Sequence, residues 1–208
     1  ASLLRERRAA LGELPLLTLD AGDFSMGTLF HTVAREEGGE LRLLGALGYD
    51  ATTLGNHEFD FRPAGLARMI VAAQRAGDAP DVPILASNIR FSEQSAEDDV
   101  LEALYRAGRI QPYRVLERGG LRFGLFGLMG RDAVEVSPLM APVTFADPVA
   151  TASGIYDRFG IALSDEASQA MDEDYAASQT GPRAPKHHYA LEDYGLTAEQ
   201  VRERFAGL

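Results

Sequence analysis

The chain has 208 residues, 46% hydrophobic and 25% charged, which suits one globular domain or a domain with a small appendage. Its net charge of -11 excludes nucleic acid and anionic membrane surfaces as favourable partners, and a phosphate substrate requires a local cation that reverses the field. The absence of cysteine excludes disulfides, thiolate nucleophiles and cysteine-based metal sites.

The first residues, ASLLRERRAA, lack the apolar core of a signal peptide, and no apolar run reaches membrane-spanning length. This favours a cytoplasmic protein. Because the chain starts at Ala1 rather than Met, a removed start that carried an export signal stays open, and the compartment is not determined.

The first quarter of the chain alternates between helix and strand patterns. Good helix formers predict a helix over residues 2–11, and the continuous apolar run at 14–20 predicts a strand covered on both faces. Helices are predicted over 26–38 and 39–48, followed by a short β-branched strand at 50–56.

The pattern continues with a helix over 63–77 and an apolar strand at 82–89. The Ser-, Glu- and Asp-rich residues 92–108 indicate a surface insertion with one helical turn, and 112–129 a hairpin around two glycines. Residues 142–152 lead towards another helix. Strands that alternate with helices predict an α/β layered architecture.

The character of the chain changes near residue 150, so we predict two regions, 1–152 and 153–208. The second contains no strand pattern: a helix over 164–176, a polar loop over 178–188 and a short helix over 197–206.

Two polar clusters follow predicted strands, where open α/β sheets usually carry their sites. Oxygen and nitrogen ligands at such ends suit Mn, Fe, Zn or Mg, and a carboxylate that bridges two cations is typical of two-metal hydrolases. An adjacent imidazole can stabilise or protonate the oxygens of a phosphate ester. The clusters are TLDAGDFSMGT (18–28), with Asp20 and Asp23, and TLGNHEFDF (53–61), with Asn56, His57, Glu58 and Asp60.

A structural explanation competes with this one, since Asp and Asn after a strand often cap helices or form turns. Gly-Asn-His-Glu is hard to explain in that way, and we interpret the two clusters together as functional. We expect Asp20 and Gly55 to shape the turns and Glu58 to be a supporting residue rather than a ligand. We expect His31, within a predicted helix, to be a packing or surface residue.

Residues 16–152 resemble the catalytic domain of the 5'-nucleotidase branch of the calcineurin-like metallophosphoesterases. The resemblance implies part of a layered β-sandwich flanked by helices, to which residues 153–208 would add a short helical C-terminal appendage. It rests on DAGDFSMGT (20–28), ELRLLGALGYDATTLGNHEFDF (40–61), VPILASNI (82–89), GLFGLM (124–129) and VTFADPVATA (143–152).

The resemblance also implies a site with two divalent cations of Mn, Zn, Fe or Mg. It places Asp23 as the bridging ligand and Asn56 as a ligand of the second metal. It makes His57 the catalytic residue that contacts the phosphoryl group, with Asp60 orienting it; a neighbouring carboxylate also fixes the tautomer of a histidine. The implied substrate is a phosphate ester, most readily a nucleoside 5'-monophosphate.

Parts of the family pattern are not found in this sequence. The family opens with an Asp-x-His strand end and later supplies a further His and a Gly-His-x-His segment. The adjacent His187 and His188 do not reproduce that spacing, because neighbours on an extended chain point to opposite faces. Metal affinity depends on ligand number and geometry, so we expect weak or no activity from this chain alone.

The tail, residues 153–208, resembles the extreme C-terminus of bacterial sulfotransferase-like proteins through an acidic helix, a basic loop and HYALEDYGLTAEQVRERF. No donor-binding segment accompanies it, so a plain helical appendage is the favoured interpretation. We expect the run Lys186, His187 and His188 to be a solvated loop.

Three hypotheses follow. The first is a metal-dependent phosphate monoester hydrolase. The alternative is a non-catalytic truncated or fusion remnant that binds phosphate or a partner through exposed strand edges. A sulfotransferase-related protein ranks last. Substrate identity and oligomeric state stay open.

Overall fold

The computed structural model describes residues 2–12, 15–25, 36–130, 133–178, 191 and 195–205. The chain divides into two compact units, Ala1–Arg158 and Phe159–Leu208. In the described part of the chain, no helix combines the length and the apolar character that crossing a bilayer requires.

Helices and short strands alternate through the first unit, and helices make up the described elements of the second. The helices are α1 (Ser2–Leu11), α2 (Gly39–Ala46), α3 (Arg62–Ala76), α4 (Asp99–Arg106), α5 (Ala133–Val136), α6 (Pro148–Arg158), α7 (Asp165–Ser178) and α8 (Ala198–Phe205). The strands are β1 (Thr52–Thr53), β2 (Ile84–Leu85), β3 (Ile89–Arg90), β4 (Ile110–Gln111), β5 (Tyr113–Arg118), β6 (Leu121–Phe126) and β7 (Thr144–Phe145). The predicted α/β class is confirmed.

A small parallel sheet lies at the centre of the first unit, with strand order β1-β2-β4. Thr52 pairs with Ile84 and Thr53 with Leu85, and a single parallel bridge joins Leu19 to Ala51. We predicted a strand over residues 14–20. Among residues 15–20, which the structure describes, only Leu19 pairs in the manner of a strand, through this bridge. Leu19 is 49% exposed, so this apolar run is not covered on both faces as we expected.

The predicted strand at 82–89 is divided between two sheets. β2 joins the parallel sheet, whereas β3 pairs antiparallel with β7, with Ile89 opposite Phe145. The chain changes direction at Ser87 and Asn88, and the buried Asn88 side chain supplies the hydrogen bonds that this change requires. Continuous hydrophobicity does not show such a break, because both strands are apolar.

Helix α3 supplies the largest share of the core. Leu66 and Met69 are fully buried on its inner face, and the helix ends at Gly77, which adopts a left-handed conformation with φ of 63°. The helix predicted over 63–77 is thus observed with its expected ends, since Pro63 lies in its first turn.

Helix α4 corrects the prediction of a surface insertion over 92–108. Leu101 is fully buried, and the helix packs against α3. Leu104 and Tyr105 also pack against the core, so an i, i+3, i+4 stripe faces inward while Asp99 is exposed to solvent. The abundance of charged residues concealed this stripe.

The predicted hairpin is present as β5 and β6, which pair from Tyr113 opposite Phe126 to Arg118 opposite Leu121. Gly119 and Gly120 both have positive φ, as a two-residue turn of this kind requires.

The second unit contains α7 and α8, close to the predicted helices over 164–176 and 197–206. Most of the predicted loop over 178–188 lies outside the described residues. Helix α6 runs unbroken from 148 to 158, so the predicted change of region at 152 falls inside a helix of the first unit.

Candidate active site

The first predicted cluster forms a tight turn after the bridge at Leu19. Asp23 has φ of 57°, a left-handed conformation that non-glycine residues rarely adopt. The preceding Gly22 lies so close to the second cluster that a Cβ there would stand 2.5 Å from the backbone nitrogen of Gly55. The two clusters are therefore in direct backbone contact.

The second cluster leaves β1 and forms one turn of 3₁₀ helix over His57–Phe59. The N–H of Phe59 donates to the carbonyl of Asn56, and the N–H of Asp60 donates to the carbonyl of His57, both at 3.1 Å. This turn places the side chains of residues 56, 57 and 60 near the end of the parallel sheet.

The Asp23 carboxylate lies against the backbone of this turn. Its Oδ1 accepts the N–H of His57 at 3.1 Å. A Cβ on Gly55 would overlap that oxygen and lie 2.7 Å from the nitrogen of Asp23, so only glycine fits at this point. The structure thus brings the predicted residues Asp23, Asn56 and His57 together.

The imidazole of His57 is held by Asp60. Nδ1 of His57 lies 2.9 Å from Oδ2 of Asp60, and each side chain is 35% exposed. The hydrogen bond to Asp60 raises the pKa of His57, burial opposes it in part, and the charges of Asp60, Asp23 and Glu58 add to the rise. A histidine oriented through Nδ1 presents Nε2 for chemistry, and its raised pKa favours the protonated form.

Glu58 has its side chain directed into the protein, where it is 1% exposed. Its carboxylate accepts backbone N–H groups from Asp23, Ser25 and Gly55. Burial raises the pKa of Glu58, while these three hydrogen bonds oppose that rise. The sequence indicated a supporting residue, but its partners across the two turns could not be read from the motif.

Two serines near the site were missed by the sequence analysis. Ser25 Oγ donates to the carbonyl of His57 at 3.0 Å, and Ser137 Oγ donates to the carbonyl of Asn56 at 3.2 Å. Ser25 follows the Asp motif directly, so its position was available as a signal. Ser137 is distant in sequence, and no local pattern marks it.

Of the remaining residues discussed in the sequence analysis, Asp20 makes contacts that stabilise the first turn. Asp20 Oδ2 accepts the hydroxyl of Thr52 at 2.6 Å and the N–H of Gly22 at 3.1 Å, which ties the first turn to β1. His31, and the run Lys186, His187 and His188, lie outside the described residues.

The donor atoms of Asp23 and Asn56 fit a hard divalent cation in their chemistry, since both present oxygen. The Asn56 amide makes no hydrogen bond to any residue that the structure describes, and its oxygen is available as a ligand. Within the described ranges, no group of three or more His, Asp or Glu side chains converges on one point. These residues therefore fit as two ligands of a centre that needs further ones.

The chain is similar in sequence and structure to known proteins, and these indicate the class of protein to which it belongs. The chain is 30% identical over 152 residues to the trifunctional nucleotide phosphoesterase protein YfkN of Bacillus subtilis, covering 65% of this chain and 10% of that protein. It matches the crystal structure of a 5'-nucleotidase precursor from Thermus thermophilus with 32% identity and a TM-score of 0.58, covering 76% of this chain and 28% of that one.

A crystal structure of calcineurin-like phosphoesterase YfkN from Bacillus subtilis shares the fold at 19% identity, with a TM-score of 0.55 over 76% of this chain and 48% of that one. No family profile matches the chain. The chain spans a tenth to about half of the length of these proteins.

The fold is that of part of a calcineurin-like phosphoesterase. Within that class the chain is similar to 5'-nucleotidases, so the resemblance predicted for residues 16–152 is confirmed. Metallophosphoesterases of this kind use divalent metal ions. The resemblance of residues 153–208 to sulfotransferase-like proteins stays a prediction.

Proposed function

We propose that this chain is part of a metal-dependent phosphatase that hydrolyses phosphate monoesters, with nucleoside 5'-monophosphates as substrates. The observation that carries the proposal is the placement of His57. Its imidazole is fixed by Asp60 at 2.9 Å, while its backbone N–H is bonded to the Asp23 carboxylate at 3.1 Å. A proton donor and a cation ligand thus occupy one edge of the sheet.

His57 would act on the phosphoryl group through Nε2. With Nδ1–H donated to Asp60, the protonated ring can donate Nε2–H to a phosphoryl oxygen. Negative charge on that oxygen increases as the transition state forms, so this hydrogen bond strengthens during the reaction. Asp60 keeps the ring oriented and stabilises its positive charge.

Asp23 and Asn56 would hold a divalent cation beside that ring. When bound, such a cation neutralises charge on the ester and makes water a better nucleophile. The chain requires a cation for another reason as well, because its net charge of -11 repels a phosphate ester.

The substrate class follows from the relatives. One is named a nucleotide phosphoesterase and another a 5'-nucleotidase precursor, and both similarities include a large share of this chain. A nucleoside monophosphate is therefore the first substrate to test.

The test measures AMP hydrolysis by the full chain with Mn²⁺, beside His57→Ala. We expect the variant to be slower by about 10²–10⁴-fold, the range for loss of a positioned acid–base group. Glu102→Gln, which removes a surface ion pair with Arg106, should retain the wild-type rate. Calorimetric titration with Mn²⁺ should show weaker binding by Asp23→Ala and unchanged binding by His57→Ala.

Because Asp23 and Asn56 alone do not complete a metal centre, we expect the wild-type rate to be low but measurable. A folded wild-type chain that hydrolyses no AMP at saturating Mn²⁺ would overturn the proposal and favour a non-catalytic chain. Equal rates for the wild type and His57→Ala would contradict the role given to His57.

A further inference from the structure

The carboxylate of Glu58 accepts hydrogen bonds from a second turn as well as from its own. Its Oε2 accepts the N–H of Asp23 at 2.9 Å and the N–H of Gly55 at 2.6 Å, and its Oε1 accepts the N–H of Ser25 at 3.0 Å. Two of these donors belong to the first turn and one to the second. The carboxylate therefore joins two segments that lie more than 30 positions apart in the chain.

We propose that Glu58 is a positioning residue, whose buried carboxylate locks the Asp23 turn to the Asn56–His57 turn and so prepares the site for a divalent cation before the cation binds. The inference rests on the proposed function for the identity of the ligand. The hydrogen bonds through which Glu58 joins the two turns are observed in the structure.

The backbone conformation of Asp23 explains why the two turns need a residue that holds them together. Its φ of 57° is a conformation that a non-glycine residue leaves readily unless its surroundings hold it. Glu58 accepts the N–H of this residue, and the carboxylate of Asp23 in turn accepts the N–H of His57. Without Glu58, Asp23 could rotate to an ordinary conformation and carry its carboxylate away from the second turn.

The chemistry of the side chain also fits this role. An ionised carboxylate offers acceptors only, which match three N–H donors, and hydrogen bonds to a charged acceptor are stronger than neutral ones. Glutamine at this position would turn its NH₂ group towards at least one of these donors.

The side chain of Ser25 reinforces the same connection. Its hydroxyl, on a residue that is 1% exposed, donates to the carbonyl of His57 at 3.0 Å. This bond, like those from Asp23 and Ser25 to Glu58, is donated by the first turn to the second, whereas the N–H of His57 donates in the opposite direction, to Asp23. Residues that hold the metal ligands in place through hydrogen bonds generally determine how tightly those ligands bind a metal.

The test compares Mn²⁺ binding by the wild-type chain and by Glu58→Gln, using calorimetric titration. Loss of a residue that positions a metal ligand usually weakens metal affinity by about 10–100-fold, and we expect a loss of Mn²⁺ affinity in that range for Glu58→Gln. Asp98→Asn is the matched control. Asp98 is also 1% exposed and accepts a backbone N–H, from Ser92 at 2.9 Å, but it belongs to the loop before α4. Its variant should bind Mn²⁺ like the wild type.

A second measurement needs no variant and no hydrolysis. Amide hydrogen exchange of the metal-free wild type should show Asp23 and Gly55 protected, because Glu58 already holds their N–H groups. Rapid exchange at both amides without metal, with protection only after Mn²⁺ is added, would overturn the inference.

The outcomes also separate this inference from the proposed function. AMP hydrolysis with wild-type Mn²⁺ affinity in Glu58→Gln would overturn the role of Glu58 and leave the phosphatase standing. Weakened Mn²⁺ binding in Glu58→Gln, without AMP hydrolysis by the wild type, would support the role of Glu58 and contradict the phosphatase.

Discussion

Nδ1 of His57 lies 2.9 Å from Oδ2 of Asp60, and the two residues are three positions apart in a single turn of 3₁₀ helix. The pair is therefore formed by one short segment. It needs the rest of the protein only to hold that segment at the end of the sheet.

The first prediction concerns the charge of this pair. Asp60→Asn should lower the pKa of His57, because the hydrogen bond to Asp60 is the largest cause of its rise. NMR titration of the metal-free protein measures the change directly. Asp78→Asn, which removes the carboxylate paired with Arg42, should leave the pKa of His57 unchanged. An unaltered titration in Asp60→Asn would show that Asp60 is not the cause.

The same shift fixes the sign of a pH effect on stability. Since the folded-state pKa of His57 is raised, the pair stabilises the fold fully below the ordinary histidine pKa, and this stabilisation is lost as the pH rises through the raised value. The effect should be small, because both side chains are about one-third exposed.

The second prediction concerns the contact between the turns. Gly55→Ala should displace the Asp23 carboxylate, since the new Cβ would overlap Oδ1 and lie 2.7 Å from the Asp23 nitrogen. Overpacking of this kind costs about 1–3 kcal/mol of unfolding free energy, measurable by urea unfolding. Gly154→Ala in α6 is the control, because its Cβ would meet nothing within 4 Å, and should stabilise the protein by up to about 1 kcal/mol. Equal stability of the two variants would argue against the close approach.

The third prediction tests whether α4 is part of the core. Leu101→Ala should lower the unfolding free energy by about 2–5 kcal/mol, because Leu101 is fully buried against α3. The neighbouring Val100 is 58% exposed, so Val100→Ala should change stability by no more than about 0.5 kcal/mol. If the two variants unfolded alike, residues 99–106 would have to be a surface insertion after all.

The fourth prediction concerns the buried amide of Asn88. Its Nδ2 donates to the carbonyls of Met129 and Ala146 at 2.9 Å, and its Oδ1 accepts the N–H of Met129 at 3.0 Å. Asn88→Ala leaves these backbone groups without that partner and should cost at least about 2 kcal/mol of unfolding free energy. Gln111 bonds to Gly108 at an exposed position, so Gln111→Ala should cost much less. A small effect at position 88 would imply that other groups or water replace the amide.

Features that contiguous residues encode could be predicted before the fold was known. Proline at the start and glycine at the end delimit α3, and two successive glycines between apolar runs produce the hairpin. The motif Gly-Asn-His-Glu-Phe-Asp also marked His57 and Asp60 as candidates, and the family resemblance implied that Asp60 orients His57.

Contacts between groups that are distant in the chain could not be predicted in this way, because they depend on the folded structure. Glu58 finds donors in the first turn, 33 and 35 positions earlier, and Ser137 reaches the carbonyl of Asn56 from 81 positions later. The burial of Leu101 likewise depends on α3, which the charged composition of its own segment does not reveal. Local propensity acts over a few residues, whereas burial and cross-chain hydrogen bonds depend on how the sheet and helices pack, and that packing is a property of the whole fold.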